Sequence, residues 1–151
     1  MTRAPSEHPV EEALDRAAEG LPPADAERFR SLMRTGLSYF EPVVGPEDQA
    51  IEVAAVADVP KDRLLAAAAR FAAERRAFAL GKRSLALLQA FTRGGDVQAE
   101  TRDLLDEVLA AIESEPDEAV RHELGSYALE CRYVLSGGTG PNSLRGSKIS
   151  R

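Results

Sequence analysis

The sequence predicts an all-α protein: an irregular bundle of five or six helices around one long central helix, with a flexible C-terminal tail. Three observations predict it. The 151 residues are 44% hydrophobic and 29% charged, enough apolar material for one core and too much for a disordered chain. Apolar residues recur at three- and four-residue intervals along most of the chain. Proline and acidic residues open successive segments, and glycine closes them. Residues 1–135 are expected to form a single helical domain and residues 136–151 a Gly-rich basic tail.

The first helix is expected from Pro9 to Glu19. Pro is tolerated in a first turn, Glu11 and Glu12 favour the positive end of the helix dipole, and Gly20 can close the last turn. Its apolar face is Val10, Ala13, Leu14 and Ala17. A second helix fits Pro23 to Phe40, with Phe29, Leu32, Met33, Gly36, Leu37 and Phe40 on one face before Glu41-Pro42 stops it. Ile51 to Ala57 is apolar nearly all round, so residues 46–57 suit a buried helix or a strand. A helix opened by Pro46, Glu47 and Asp48 is favoured.

The longest pattern starts at Pro60 and continues to Arg93, where Gly94-Gly95 ends it. Such a helix would span roughly 50 Å at ~1.5 Å per residue, either as a spine or with a kink at Gly81. Leu64, Phe71, Phe78 and Leu85 lie seven apart, with Ala67 and Leu88 in the companion column. This predicts one seam buried throughout, Phe71 and Phe78 included. Asp96 opens the next helix, with Val97, Thr101, Leu104, Leu105, Val108 and Ile112 as its apolar stripe. Ser114-Glu-Pro-Asp117 then caps a last helix running to Leu135, with a core stripe of Val120, Leu124, Tyr127, Ala128, Cys131 and Leu135. Ser84-Leu-Ala-Leu and Ser126-Tyr-Ala-Leu echo each other, each preceding an aromatic and then glycine. No third copy appears, so a helical repeat array is not expected.

Charge and cysteine usage narrow the function classes. The formal charge of −6 argues against nucleic-acid binding over the main body and against an anionic membrane surface. One cysteine, Cys131, allows no internal disulfide, which suits a reducing compartment. With no signal-like or membrane-spanning apolar run, a cytoplasmic chain is expected.

No constellation for catalysis, metal or cofactor is expected. Glu118 stands four residues before His122, where a diiron helix pair needs three. Ser126 occupies the second-histidine position of a zincin helix, and Gly81-Lys-Arg-Ser84 lacks the leading glycine of a phosphate loop. Cys131 falls on a core stripe, where thiols pack and do not react. Arg75 and Lys82 flank the long seam and are candidate anion-binding residues. Their aliphatic stems could equally cover the edge of the core.

Two faces remain for partners. On the last helix His122, Ser126, Leu129 and Tyr133 lie opposite the core stripe, a mixture suited to an interface with a protein partner or a second copy. From Ser136 onward the tail has three bases and no acid, leaving −9 on residues 1–135, and Leu144, Arg145, Lys148 and Ile149 are its candidate contacts. The function expected is that of a non-catalytic adaptor or assembly subunit, with a small helical enzyme of unrecognised site as an alternative.

The string Val120-Arg-His-Glu-Leu-Gly-Ser-Tyr127 resembles the phosphoacceptor helix of histidine phosphotransfer domains. It is also similar to the His-Glu-Leu of sensor-kinase dimerisation helices. That resemblance implies His122 as the phosphoacceptor, with Gly125 and Ser126 leaving room for a docking receiver. In the tail, Ser143-Leu-Arg-Gly146 resembles the loading peptides of cargo proteins of encapsulin-type shells, which implies docking of the tail in a shell groove.

Overall fold

Proline in the first turn opens each of the first three helices, where a missing N–H leaves no hydrogen bond unmade. These are α1 (Pro9–Ala18), α2 (Pro23–Leu37) and α3 (Pro46–Val56). A 3-10 turn, Lys61–Arg63, leads into α4 (Leu64–Thr92), followed by α5 (Gln98–Ser114) and α6 (Glu118–Leu135). A computed structural model of the chain describes residues 8–39 and 45–138. Among them there are six α-helices and no strand, the all-α bundle the sequence predicts. Pro46–Val56 is helical, as favoured. The Pro60 start is replaced by the 3-10 turn, so α4 begins at Leu64.

The described residues form two compact units, divided between Arg76 and Ala77 within α4. In the first, α1 packs on α2 and α3. Its core holds Leu14, Phe29, Met33, Val53 and Leu64, each at 1% exposure or less, with Ala68 and Phe71 from α4. Gly36 is required here, because a Cβ at that position would lie 2.5 Å from the Phe71 ring and 3.2 Å from the Ala72 Cα. Lys61 Nζ donates to the Ala17 carbonyl at 2.8 Å, satisfying one of the orphan acceptors at the end of α1. Arg34 pairs with Glu11 at 2.7 Å and Arg30 with Asp15 at 3.1 Å, tying α2 to α1 at the surface.

In the second unit α5 packs on α6. Leu104, Val108 and Ala111 of α5 and Val120, Leu124, Ala128, Cys131 and Val134 of α6 are buried, with Ala77 and Leu80 of α4. The Asp117 carboxylate caps α6, accepting from the N–H groups of Ala119 at 2.9 Å and Val120 at 3.3 Å.

α4 and α6 end in the same way. Gly95 N–H donates to the Ala90 carbonyl at 2.8 Å and Gly94 N–H to that of Phe91 at 3.0 Å; Gly138 donates to Tyr133 at 2.8 Å and Gly137 to Val134 at 3.0 Å. Both are Schellman closures, in which the first glycine takes a left-handed backbone: φ is +86° at Gly94 and +74° at Gly137. Ser136, Gly137 and the buried Gly138 thus take part in closing α6.

One sequence expectation for α4 changes. Leu64 and Phe71 are buried, but Phe78 is 55% and Leu85 52% exposed. The seam does not persist because α4 serves two cores: the column buried from Ala77 onward is Ala77, Leu80 and Ser84. At Gly81, expected as part of a spine or as a kink, α4 is continuous, from Leu64 to Thr92.

Candidate functional site

Gly81 exists for Tyr127. A Cβ at position 81 would lie 2.5 Å from Tyr127 Cζ and Oη, so the phenol ring of α6 occupies the space a side chain on α4 would fill. Its hydroxyl donates to Glu123 Oε2 at 2.7 Å. Burial, that hydrogen bond and the nearby Glu123 and Glu130 charges push the Tyr127 phenol well above its ordinary value. One turn on, Ser84, 3% exposed, donates its Oγ–H to Glu130 Oε1 at 2.5 Å. The Cys131 thiol lies beside Ser84, and burial, reinforced by the Glu130 charge, raises its pKa. Arg83 grips Glu107 of α5 with two parallel bonds of 3.0 and 2.9 Å. These contacts join α4, α5 and α6, and they hold their polar groups in closed pairs. A protonated buried thiol and a phenol locked to a carboxylate offer neither a nucleophile nor a base at neutral pH.

The candidate anion-binding residues belong to different units. The Arg75 guanidinium is 2.7 Å from Glu52 Oε2 and stacks 5.4 Å from the Phe71 ring centroid. Lys82 Nζ lies 5.7 Å from the centroid of the exposed Phe78 ring. Arg75 thus already faces a carboxylate, and Lys82 covers an aromatic face.

On α6 the predicted docking residues divide. His122, Ser126 and Leu129 are exposed, Leu129 at 43%; the Ser126 hydroxyl donates to the Glu123 carbonyl at 2.7 Å. Tyr133 is half-buried. Its ring meets Phe91 edge-on, with centroids 6.1 Å apart and planes at 82°, and both rings approach Gly138. Tyr133 belongs to the α4–α6 closure and not to a free face. Tyr127 and Leu135, expected on the core stripe, are half-buried, and Val134 fills that role instead.

The exposed face carries a pattern that sequence reading missed. Glu118, His122, Gly125, Leu129 and Arg132 follow one another at intervals of four, three, four and three residues. That spacing makes one strip along the helix. All but Gly125 are exposed, and nothing lies within 4 Å of a Cβ built on Gly125. The four-three spacing was the available signal, hidden because only one of the five residues is a large apolar one.

The tail contacts Leu144, Arg145, Lys148 and Ile149, and the Ser143-Leu-Arg-Gly146 string, lie outside the described residues. Among the described residues no group of three His, Cys, Asp or Glu side chains could hold a metal ion. No helix there is long and apolar enough to cross a membrane. Comparison with family models, curated proteins and solved structures finds no match.

Proposed function

We infer that the chain is a non-catalytic helical interaction protein of the cytoplasm, an adaptor or assembly subunit that docks a protein partner on the exposed face of α6, with the tail as a second contact. The observation supporting this reading is the α6 face itself. Leu129 is held in water beside His122, Ser126 and an open Gly125, on a helix whose opposite side is fully used in the core. A surface leucine alone means little. A continuous face with an apolar centre, a glycine notch and charged ends has the make-up of an interface with a polar rim.

The test is affinity capture with the immobilised wild-type chain and with Leu129→Asp, at matched helicity. The reading expects a protein retained by the wild type and lost with the variant. Identical capture by both, or none by either from a wild type that is also monomeric, contradicts it.

A second reading, phosphotransfer through His122, is favoured by the exposure of that imidazole next to the open side of Gly125. It expects acid-labile phosphohistidine after incubation with acetyl phosphate, absent in His122→Gln. An unmodified wild-type chain contradicts it.

A further inference from the structure

The strip on α6 complements itself. Its acidic residue, Glu118, stands in the first turn, its basic residue, Arg132, in the last, and Gly125 lies midway, seven residues from each. Two copies of this helix packed antiparallel about a two-fold axis at Gly125 bring Glu118 of one beside Arg132 of the other, at both ends. His122 then meets Leu129 on either side of the axis. A parallel pairing would set Glu118 against Glu118 and Arg132 against Arg132. The charges therefore select the antiparallel arrangement, as facing charges select orientation in coiled coils.

The notch has a matching role. Helices pack with axes about 8–10 Å apart, and the closest approaches occur where side chains are smallest. With nothing within 4 Å of its Cβ position, Gly125 offers backbone to a neighbouring helix at the centre of the strip. Elsewhere on α6, Val120, Leu124, Ala128, Cys131 and Val134 are in the core, and the Tyr133 ring is against Phe91. Arg121 Nη1 donates to the Glu115 carbonyl at 2.9 Å and to that of Pro116 at 3.1 Å, which holds it against the start of the helix.

We propose that the occupant of this face is a second copy of the chain, in an antiparallel two-fold dimer centred on Gly125 and oriented by reciprocal Glu118–Arg132 pairs. The strip spans about 21 Å, from ~1.5 Å of rise per residue, and one helix face makes an interface below standard size. The dimer is accordingly weak and concentration-dependent. The proposal rests on α6 being a docking face and specifies what docks there.

The experiment is sedimentation equilibrium of the full chain from about 1 µM to about 1 mM. The wild type is expected to rise from 16.3 kDa toward twice that mass. Glu118→Arg and Arg132→Glu each set like charges together at both ends, and each should weaken the dimer at least about tenfold. Mixing those two variants restores both pairs, so the mixture should associate as the wild type does, as should the double variant carrying both reversals. Recovery on mixing also shows that each single variant is folded.

A wild type that stays monomeric throughout, or a mixture no tighter than its components, overturns the proposal. A monomeric wild type that still captures a different protein in a Leu129-dependent way overturns the two-fold dimer and leaves the docking reading standing. Loss of that capture together with a monomeric wild type removes both.

Discussion

The phenol of Tyr127 stands where a side chain at position 81 would be, its Cζ and Oη 2.5 Å from the place of a Cβ on Gly81. A glycine in the middle of a 29-residue helix is therefore an adaptation to a ring on another helix. Two opposing effects meet there. Alanine would favour the helix by about 1 kcal/mol, and overpacking against the ring would cost about 1–3 kcal/mol.

Gly81→Ala should lower the midpoint of urea unfolding in the wild-type chain and raise it in a Tyr127→Ala background, where the obstruction is gone. The reversal of sign is the diagnostic feature. Gly125→Ala, measured at low protein concentration, should raise the midpoint in either background, by up to about 1 kcal/mol, because its Cβ meets open space. A Gly81→Ala variant more stable than wild type would show that Tyr127 yields without cost.

Two phenylalanines, Phe29 of α2 and Phe78 of α4, should behave differently. Phe29, fully buried, should cost about 3–5 kcal/mol when replaced by alanine. Phe78→Ala should change stability by no more than about 0.5 kcal/mol, since that ring is 55% exposed. Chemical denaturation of the two variants distinguishes them, and a large loss at Phe78 would mean that the α4 seam is continuous after all.

The glycines after α6 act as part of the fold. A chain ending at Leu135 loses the Gly137 and Gly138 hydrogen bonds and the packing of Gly138 against Phe91 and Tyr133. It should melt below a chain ending at Gly138, by a difference equivalent to roughly 0.3–1.5 kcal/mol. Equal melting temperatures would place the end of the fold at Leu135.

Alkaline pH tests the Tyr127 contact. The folded state holds this phenolic proton more tightly than the unfolded chain, whose tyrosines ionise near an ordinary value of about 10. The stabilisation is thus fully present below about pH 10 and is lost as pH rises through the folded-state value. Phenolate absorbance should show a component that ionises late, above the ordinary tyrosine range. Tyr127→Phe should remove that late component and flatten the fall in stability above about pH 10. The absence of a late component, or one that Tyr127→Phe leaves unchanged, would contradict the contact.

Helix boundaries were legible because they are written in local chemistry. Pro9, Pro23 and Pro46 open helices, Asp117 caps one, and the glycine pairs at 94–95 and 137–138 end two. What each face of α4 touches was not legible, since periodicity identifies a stripe but not how many cores share the helix. Phe71 and Phe78 are equivalent on the wheel and opposite in burial. Tyr133 was misplaced for a related reason: angle on the wheel says nothing of reach, and a long ring near a helix end can turn toward Phe91. The echo between Ser84 and Ser126, each followed seven residues later by one of those two aromatics, was the local sign of that pairing. The exposed strip on α6 combines residues of unlike type, so no hydrophobic pattern pointed to its four-three spacing.

The docking role of α6 is tested most directly by photo-crosslinking in cells, with a benzophenone amino acid placed at Ser126 and, separately, at the exposed Glu113 of α5. A discrete protein adduct from position 126 and none from position 113 is the predicted result. No adduct at position 126, or the same adduct from both positions, would contradict the assignment of this face.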